Sequence, residues 1–208
     1  MIKAHHIRSF FLWRWLAFFV FILKKVRLHP TTVLSGKISS FLFMPGVKAG
    51  PRTRFILSGA GQIKLNADVW ISSDVEMETS GMIVLGEGTS VQRRATINGD
   101  VTLGAGCIIA PNVFISSGTH PFREYKDLPI REQERLIVEE RGSLASLHRQ
   151  VKIGNDCWLG VNAVVCPGVH IGNGCVIGAN AVVTHDLPDF SIAVGSPARV
   201  VGNRKTNS

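Results

Sequence analysis

One spacing dominates this chain. From residue 85 every sixth position is aliphatic: Leu85, Val91, Ile97, Leu103, Ile109 and Ile115. The same step from residue 153 gives Ile153, Leu159, Val165, Ile171, Ile177 and Val183. A second column lies two residues earlier. It reads Thr89, Ala95, Val101, Cys107 and Val113 in one block, and Cys157, Ala163, Val169, Cys175 and Ala181 in the other. Residues two apart in a strand share a face. Each hexad therefore supplies one short strand with a large and a small inward side chain. Stretches such as "GND", "CPG", "GNG" and "GAN" separate the strands and carry the residues that turn a chain sharply. The reading is an all-β fold, a parallel β-helix in which three hexads make one coil and the coils stack their aliphatics.

The pattern loosens toward the N-terminus. Leu65, Ile71 and Met77 keep the step, and two extra residues near "SGMIV" shift the frame. Residues 30–64 read as short strands and turns of the first, irregular coils. The β-helix domain is assigned to residues 30–202, with 203–208 as a tail.

The rhythm stops after Ile115 and resumes near Val151–Ile153. The interruption, residues 121–150, carries six basic and six acidic side chains and reads as a projecting loop. A loop of this length inside a compact domain is usually functional or disordered. Part of it is predicted to be helical from Pro129, with Gly142 as the stop. Thr119 is expected in the small inward column. His120 then points outward at the root of the loop, where it can serve as a general base.

Charge is unevenly distributed. Residues 1–64 hold eleven Lys/Arg and no Asp or Glu, whereas residues 65–208 hold twelve against fifteen acids. The basic part contains "FFLWRWLAFFVFIL", residues 10–23, which is apolar except for Arg14. This run is short for a spanning helix, lacks a clear signal-peptide cleavage site, and is rich in residues that favour the bilayer interface. Residues 1–29 are therefore read as a hydrophobic, basic helix on the inner face of the cell membrane. The alternatives are a helix packed on protein and a spanning anchor. The nearly unbroken apolar run argues against nucleic acid. The four cysteines form no CxxC pair, so they are read as filler, with Cys107, Cys157 and Cys175 inward and Cys166 at a corner.

At this point the residues resemble a family. "NDCWLGVNAVVCPGVHIGNGCVIGANAVVTHDLP", "AVGSPARVV" and "NVFISSGTHPF" look like the signature segments of hexapeptide-repeat O-acetyltransferases, the galactoside, maltose and polysaccharide types among them. The resemblance covers roughly residues 63–202. It implies a left-handed β-helix, homotrimers, acetyl-CoA as acyl donor, and no metal. Residue by residue, it makes His120 the catalytic base and Trp158 a residue near the active site. Val161 would bind the acetyl end of the donor through its backbone N–H. Ala179, Thr184 and Arg199 match other donor-contacting positions. His185 replaces a common lysine there, and Gln92 falls near an acceptor-binding position. The long loop and the aromatic N-terminal run depart from enzymes that acetylate small soluble sugars.

The implied chemistry is direct acetyl transfer to a saccharide hydroxyl, in particular on a lipid-linked precursor of cell-surface polysaccharide or lipopolysaccharide. The alternatives are N-acetylation of a nucleotide sugar, a metal hydratase of the γ-carbonic anhydrase type, and a non-catalytic scaffold. His148 and His170 lie outside ligand-like spacing for the hydratase.

Overall fold

The computed structural model describes residues 25–206. The helix expected within residues 1–29 falls mainly on residues 1–24, which lie outside the described residues. No helix among the described residues is long and apolar enough to cross a membrane.

The described chain winds as a three-faced prism. Strands visit the first, second and third faces in turn, and each pairs in parallel with the strand one coil below. The first face runs from Arg27–Leu28 through Lys48–Ala49, Trp70–Ile71, Ser90–Val91, Ile108–Ile109, Trp158–Leu159 and Val176–Ile177 to Ser191–Val194. Arg199–Asn203 closes it with an antiparallel pairing. The second face holds seven strands, from Val33–Ser35 to Val182–Val183, and the third holds six, from Phe41–Phe43 to His170–Ile171. Arg27–Leu28 is already paired, so the prism begins before residue 30 and ends at Asn203.

The hexad columns are the core. Ile71, Val91, Ile97, Ile109, Ile115, Leu159 and Val165 are fully buried, as are Thr89, Cys107, Ala163 and Cys175 between them. Register confirms three hexads per coil: Val91 pairs with Ile109 and Leu159 with Ile177. The lower coils are longer, with Ile71 opposite Val91 and Phe43 opposite Leu65, as the frame shift requires. Hydrogen bonding with Cys107 and burial push the Cys157 thiol up, and burial does the same to Cys175. The two are uncharged packing groups.

Corner residues explain the turn chemistry. Asn112, Asn162 and Asn180 all take φ near +60°. Their side chains stack into a ladder, Asn112 Nδ2 donating to Asn162 Oδ1 (3.0 Å) and Asn162 Nδ2 to Asn180 Oδ1 (2.9 Å). Asparagine tolerates the left-handed region and satisfies its amide locally.

One inward assignment changes. Thr119 is only half-buried, and Ser117 fills the interior position instead. The strand Phe114–Ser116 ends there, and Ser117 Oγ accepts from the backbone N–H of Asp100 (2.8 Å). A serine without branching fits this slot and supplies the acceptor.

The columns make a quantitative prediction. Ile109→Ala should lower unfolding free energy by about 2–5 kcal/mol, whereas Met82→Ala on the exposed third face should cost far less. Urea denaturation of both variants measures the difference.

Candidate active site

The loop leaves the edge between the second and third faces. Its neck is closed by the backbone N–H of Arg149 donating to the carbonyl of Ser117 (2.9 Å), after which Val151–Ile153 rejoins the third face. Helix α1, Ile130–Arg141, forms the body of the loop. It starts after Pro129 and stops at Gly142, whose φ of 76° and N–H bond to the Val138 carbonyl (2.9 Å) end the last turn. Gln133, Glu134 and Ile137 form its buried side. Arg135 bridges Glu132 and Glu139 on the outside.

This helix completes the site at His120. Glu134 Oε1 lies 2.5 Å from His120 Nδ1, and Glu134 Oε2 accepts from Arg131 Nη1 at 2.9 Å. An ionised carboxylate only accepts, so Nδ1 carries a proton, and in the neutral imidazole the lone pair is then on Nε2. The hydrogen bond from His120, and then that from Arg131, hold Glu134 below the usual carboxylate range. Its ionisation persists into mild acid, and the stabilisation it gives disappears as pH falls through its depressed value. The His120 side chain is 70% exposed and Glu134 11%. The arrangement is an outward imidazole held by a sheltered carboxylate, the geometry of an oriented general base.

A polar recess of about 250 Å³ lies on the edge from which the loop leaves, lined by Glu78, Asn98, Ser116, Gly118 and His148 among others. Asn98 Oδ1 is buried there without a hydrogen-bond partner among the described residues. A buried orphan acceptor is costly unless a ligand or water satisfies it.

The other predicted residues lie elsewhere on the prism. Gln92, Val161 and Ala179 occupy the edge between the first and second faces, and Trp158, about half exposed, stands on the first face beside it. The N–H groups of Val161 and Ala179 donate to nothing among the described residues, while the N–H of the glycine before each is tied into the coil above. Arg199 is exposed in the closing strand, its Nη1 bonding the Ala198 carbonyl (3.0 Å). Thr184 and His185 are on the same edge as His120 but two coils higher, joined by a 2.9 Å contact between Thr184 Oγ1 and His185 Nδ1. One subunit thus brings His120 together with Glu134 and Arg131, and not with Gln92, Trp158, Val161, Ala179 or Arg199.

The profile for bacterial transferase hexapeptide (six repeats) matches residues 82–117, and that for the hexapeptide repeat of succinyl-transferase matches residues 150–185. Both matching segments of the chain are thus hexapeptide repeats, on either side of the interruption. It is 32% identical over 136 residues to galactoside O-acetyltransferase of Escherichia coli K12, covering 64% of this chain and 60% of that protein. It is 47% identical over 102 residues to nodulation protein L of Rhizobium meliloti 1021, covering 49% and 48%. The match therefore spans roughly half to three-fifths of these relatives. The crystal structure of the polySia specific acetyltransferase NeuO shares the fold, with TM-score 0.51 and 19% identity over 86% of this chain and 85% of that one.

Sequence reading of this hexapeptide-repeat chain missed Glu134, Arg131, Glu78 and Asn98. The helix supplying the first two was legible, but the face it turns toward His120 was not. Glu134→Gln keeps an acceptor and removes the charge. It should lower kcat at least about tenfold, within the roughly 10⁴-fold loss seen when the orienting carboxylate of a triad is replaced. KM for the acyl donor should change little. Steady-state kinetics of the folded variant would show whether the carboxylate matters.

Proposed function

We propose that this protein is an acetyl-CoA-dependent O-acetyltransferase acting on a saccharide hydroxyl, with His120 as general base. The observation that carries the reading is the His120–Glu134–Arg131 arrangement on the edge that also holds a polar recess, on a hexapeptide-repeat prism. Acetyl-CoA supplies the thioester whose acetyl group is transferred. His120 Nε2 takes the proton of the acceptor hydroxyl as its oxygen bonds the thioester carbonyl carbon, the C–S bond breaks, and the proton passes to the departing CoA thiolate; Glu134 holds the ring and stabilises the charge it carries in between. The unpaired N–H groups of Val161 and Ala179 suit the donor's carbonyl and amide oxygens. Trp158, Thr184, His185 and Arg199 are assigned to the rest of the donor. Glu78, Asn98 and Ser116 offer the acceptors and donors a sugar needs, and Gln92 extends that role from another edge.

The winding is left-handed and the assembly a homotrimer, as the family resemblance implies. A convex prism offers one wall, and ligand sites need two. Placing His120 of one subunit against the donor-binding edge and face of the next supplies the second wall by closed symmetry. The acceptor is a cell-surface polysaccharide or lipopolysaccharide precursor, reached from the inner face of the membrane through residues 1–29. A nucleotide-sugar amine is the second reading, favoured by Glu78 in the recess, whose carboxylate suits a cationic group.

His120→Ala should lower turnover by about 10²–10⁴-fold without loss of thermal stability, read as free thiol released from acetyl-CoA with a panel of soluble and lipid-linked glycans. Near-normal turnover would remove His120 from the mechanism. Refolding a mixture of inactive His120→Ala and Arg199→Glu chains should restore about a quarter of wild-type activity, since one interface in four then has both groups intact. Mixed trimers without activity would rule out a site shared between these two residues.

A further inference from the structure

The two lowest coils carry charge of one sign. Residues 25–64 hold seven Lys/Arg and no acid, and residues 65–119, the three coils above, hold two Lys/Arg and six acids. Two of the seven are neutralised from the coil above: Arg52 Nε meets Asp74 Oδ1 at 2.5 Å and Arg54 Nη1 meets Glu76 Oε2 at 2.7 Å. Lys25, Arg27, Lys37, Lys48 and Lys64 form no ion pair among the described residues. Residues 1–24 contain no acid that could pair with them.

These five cations surround the foot of the prism. Arg27 and Lys48 are neighbours on the first face, Lys64 stands beside Leu42 on the third, and Lys37 occupies the edge between the second and third. Exposed apolar side chains interleave with them: Val33, Ile38, Leu42 and Met44, each 36–44% exposed. A hollow of about 890 Å³ opens at this end, lined by Lys25, Arg27, Leu28, Pro45 and Lys48, with Asp68 as its single acid.

We propose that this foot docks end-on against an anionic lipid surface and fixes the height at which acetyl transfer occurs. Lysine and arginine near such a surface are attracted to its headgroups, and the interleaved aliphatics can enter the interface. The acidic coils above are repelled, which favours the upright orientation over one lying flat. Nucleic acid fits less well, because among the described residues the exposed apolar groups at the foot, Val33, Ile38, Leu42 and Met44, offer bases no aromatic platform. On the second face, four strand steps separate Val33–Ser35 from Phe114–Ser116, just before His120. At about 4.8 Å per step, the base stands about 19 Å above the lowest strand of that face. Resting on the acetyltransferase reading, the acceptor is a saccharide joined to its lipid by a spacer long enough to span that distance.

The full chain is tested with vesicles of phosphatidylcholine alone and mixed with phosphatidylglycerol, at about 0.1 M and about 0.5 M salt. Wild type should favour the anionic vesicles, and the preference should shrink at high salt. Lys37→Glu/Lys48→Glu/Lys64→Glu should reduce the preference by at least about 100-fold, while transfer to a soluble glycan stays unchanged. This binding result does not depend on catalysis, so its failure is distinguishable from failure of the enzymatic reading. An unchanged preference in the variant would overturn the foot as the docking surface. Tighter binding to a DNA duplex than to anionic vesicles would overturn lipid as its partner. Orientation is read by energy transfer to a headgroup acceptor from a fluorophore at Ile38→Cys or Lys205→Cys, each combined with Cys166→Ser. Stronger transfer from position 38 is expected, and equal or reversed transfer would overturn the upright pose.

Discussion

Everything in this molecule depends on each coil being roofed by the next. Neighbouring coils are joined by parallel backbone hydrogen bonds, and the same register sets Ile109 under Leu159 and Leu159 under Ile177. One short strand would bury nothing; stacked, the strands enclose a continuous aliphatic column. The interior is therefore long and thin, and it leaves little room for a conventional internal cavity. Chemistry is forced outward, to edges and to what projects from them.

The thirty-residue interruption solves part of that problem. It is inserted where the second face gives way to the third, and the Arg149–Ser117 bond lets the prism resume as if nothing had intervened. Helix α1 packs Gln133, Glu134 and Ile137 inward. That packing shelters the Glu134 carboxylate while leaving the His120 ring largely in solvent. A carboxylate that is both sheltered and ion-paired to Arg131 stays charged and acceptor-only, which decides which imidazole nitrogen is free. Gln92, Trp158, Val161, Ala179 and Arg199 sit on another edge and face, and Thr184 and His185 stand two coils higher on the same edge.

Charge follows the same axis. Cations gather in the coils nearest the N-terminus, and acids in those above. Where the two zones meet, Arg52 and Arg54 pair with Asp74 and Glu76. A solenoid translates sequence position directly into height, so a charge gradient along the chain becomes one along the molecule.

That translation also sets what could be read in advance. The sequence by itself determined the coil, because a six-residue period with two inward columns has no other way to bury its aliphatics. It determined the irregular lower coils from the frame shift, the inward cysteines from their column, the helix limits from Pro129 and Gly142, and His120 as an outward group at the break. Only the tertiary structure decided what surrounds that histidine. Glu134 reaches it because α1 folds back, and nothing in the spacing from 120 to 134 encodes the fold-back. Glu78 and Asn98 share a recess with Ser116 because register stacks three coils, and they look like ordinary outward strand residues in the linear chain. Ser117 displaced Thr119 from the interior because the strand ended earlier than the repeat would extend it. Local periodicity fixes which side of the chain faces in, whereas the partners on the outer surface are set by which edges and loops meet in space.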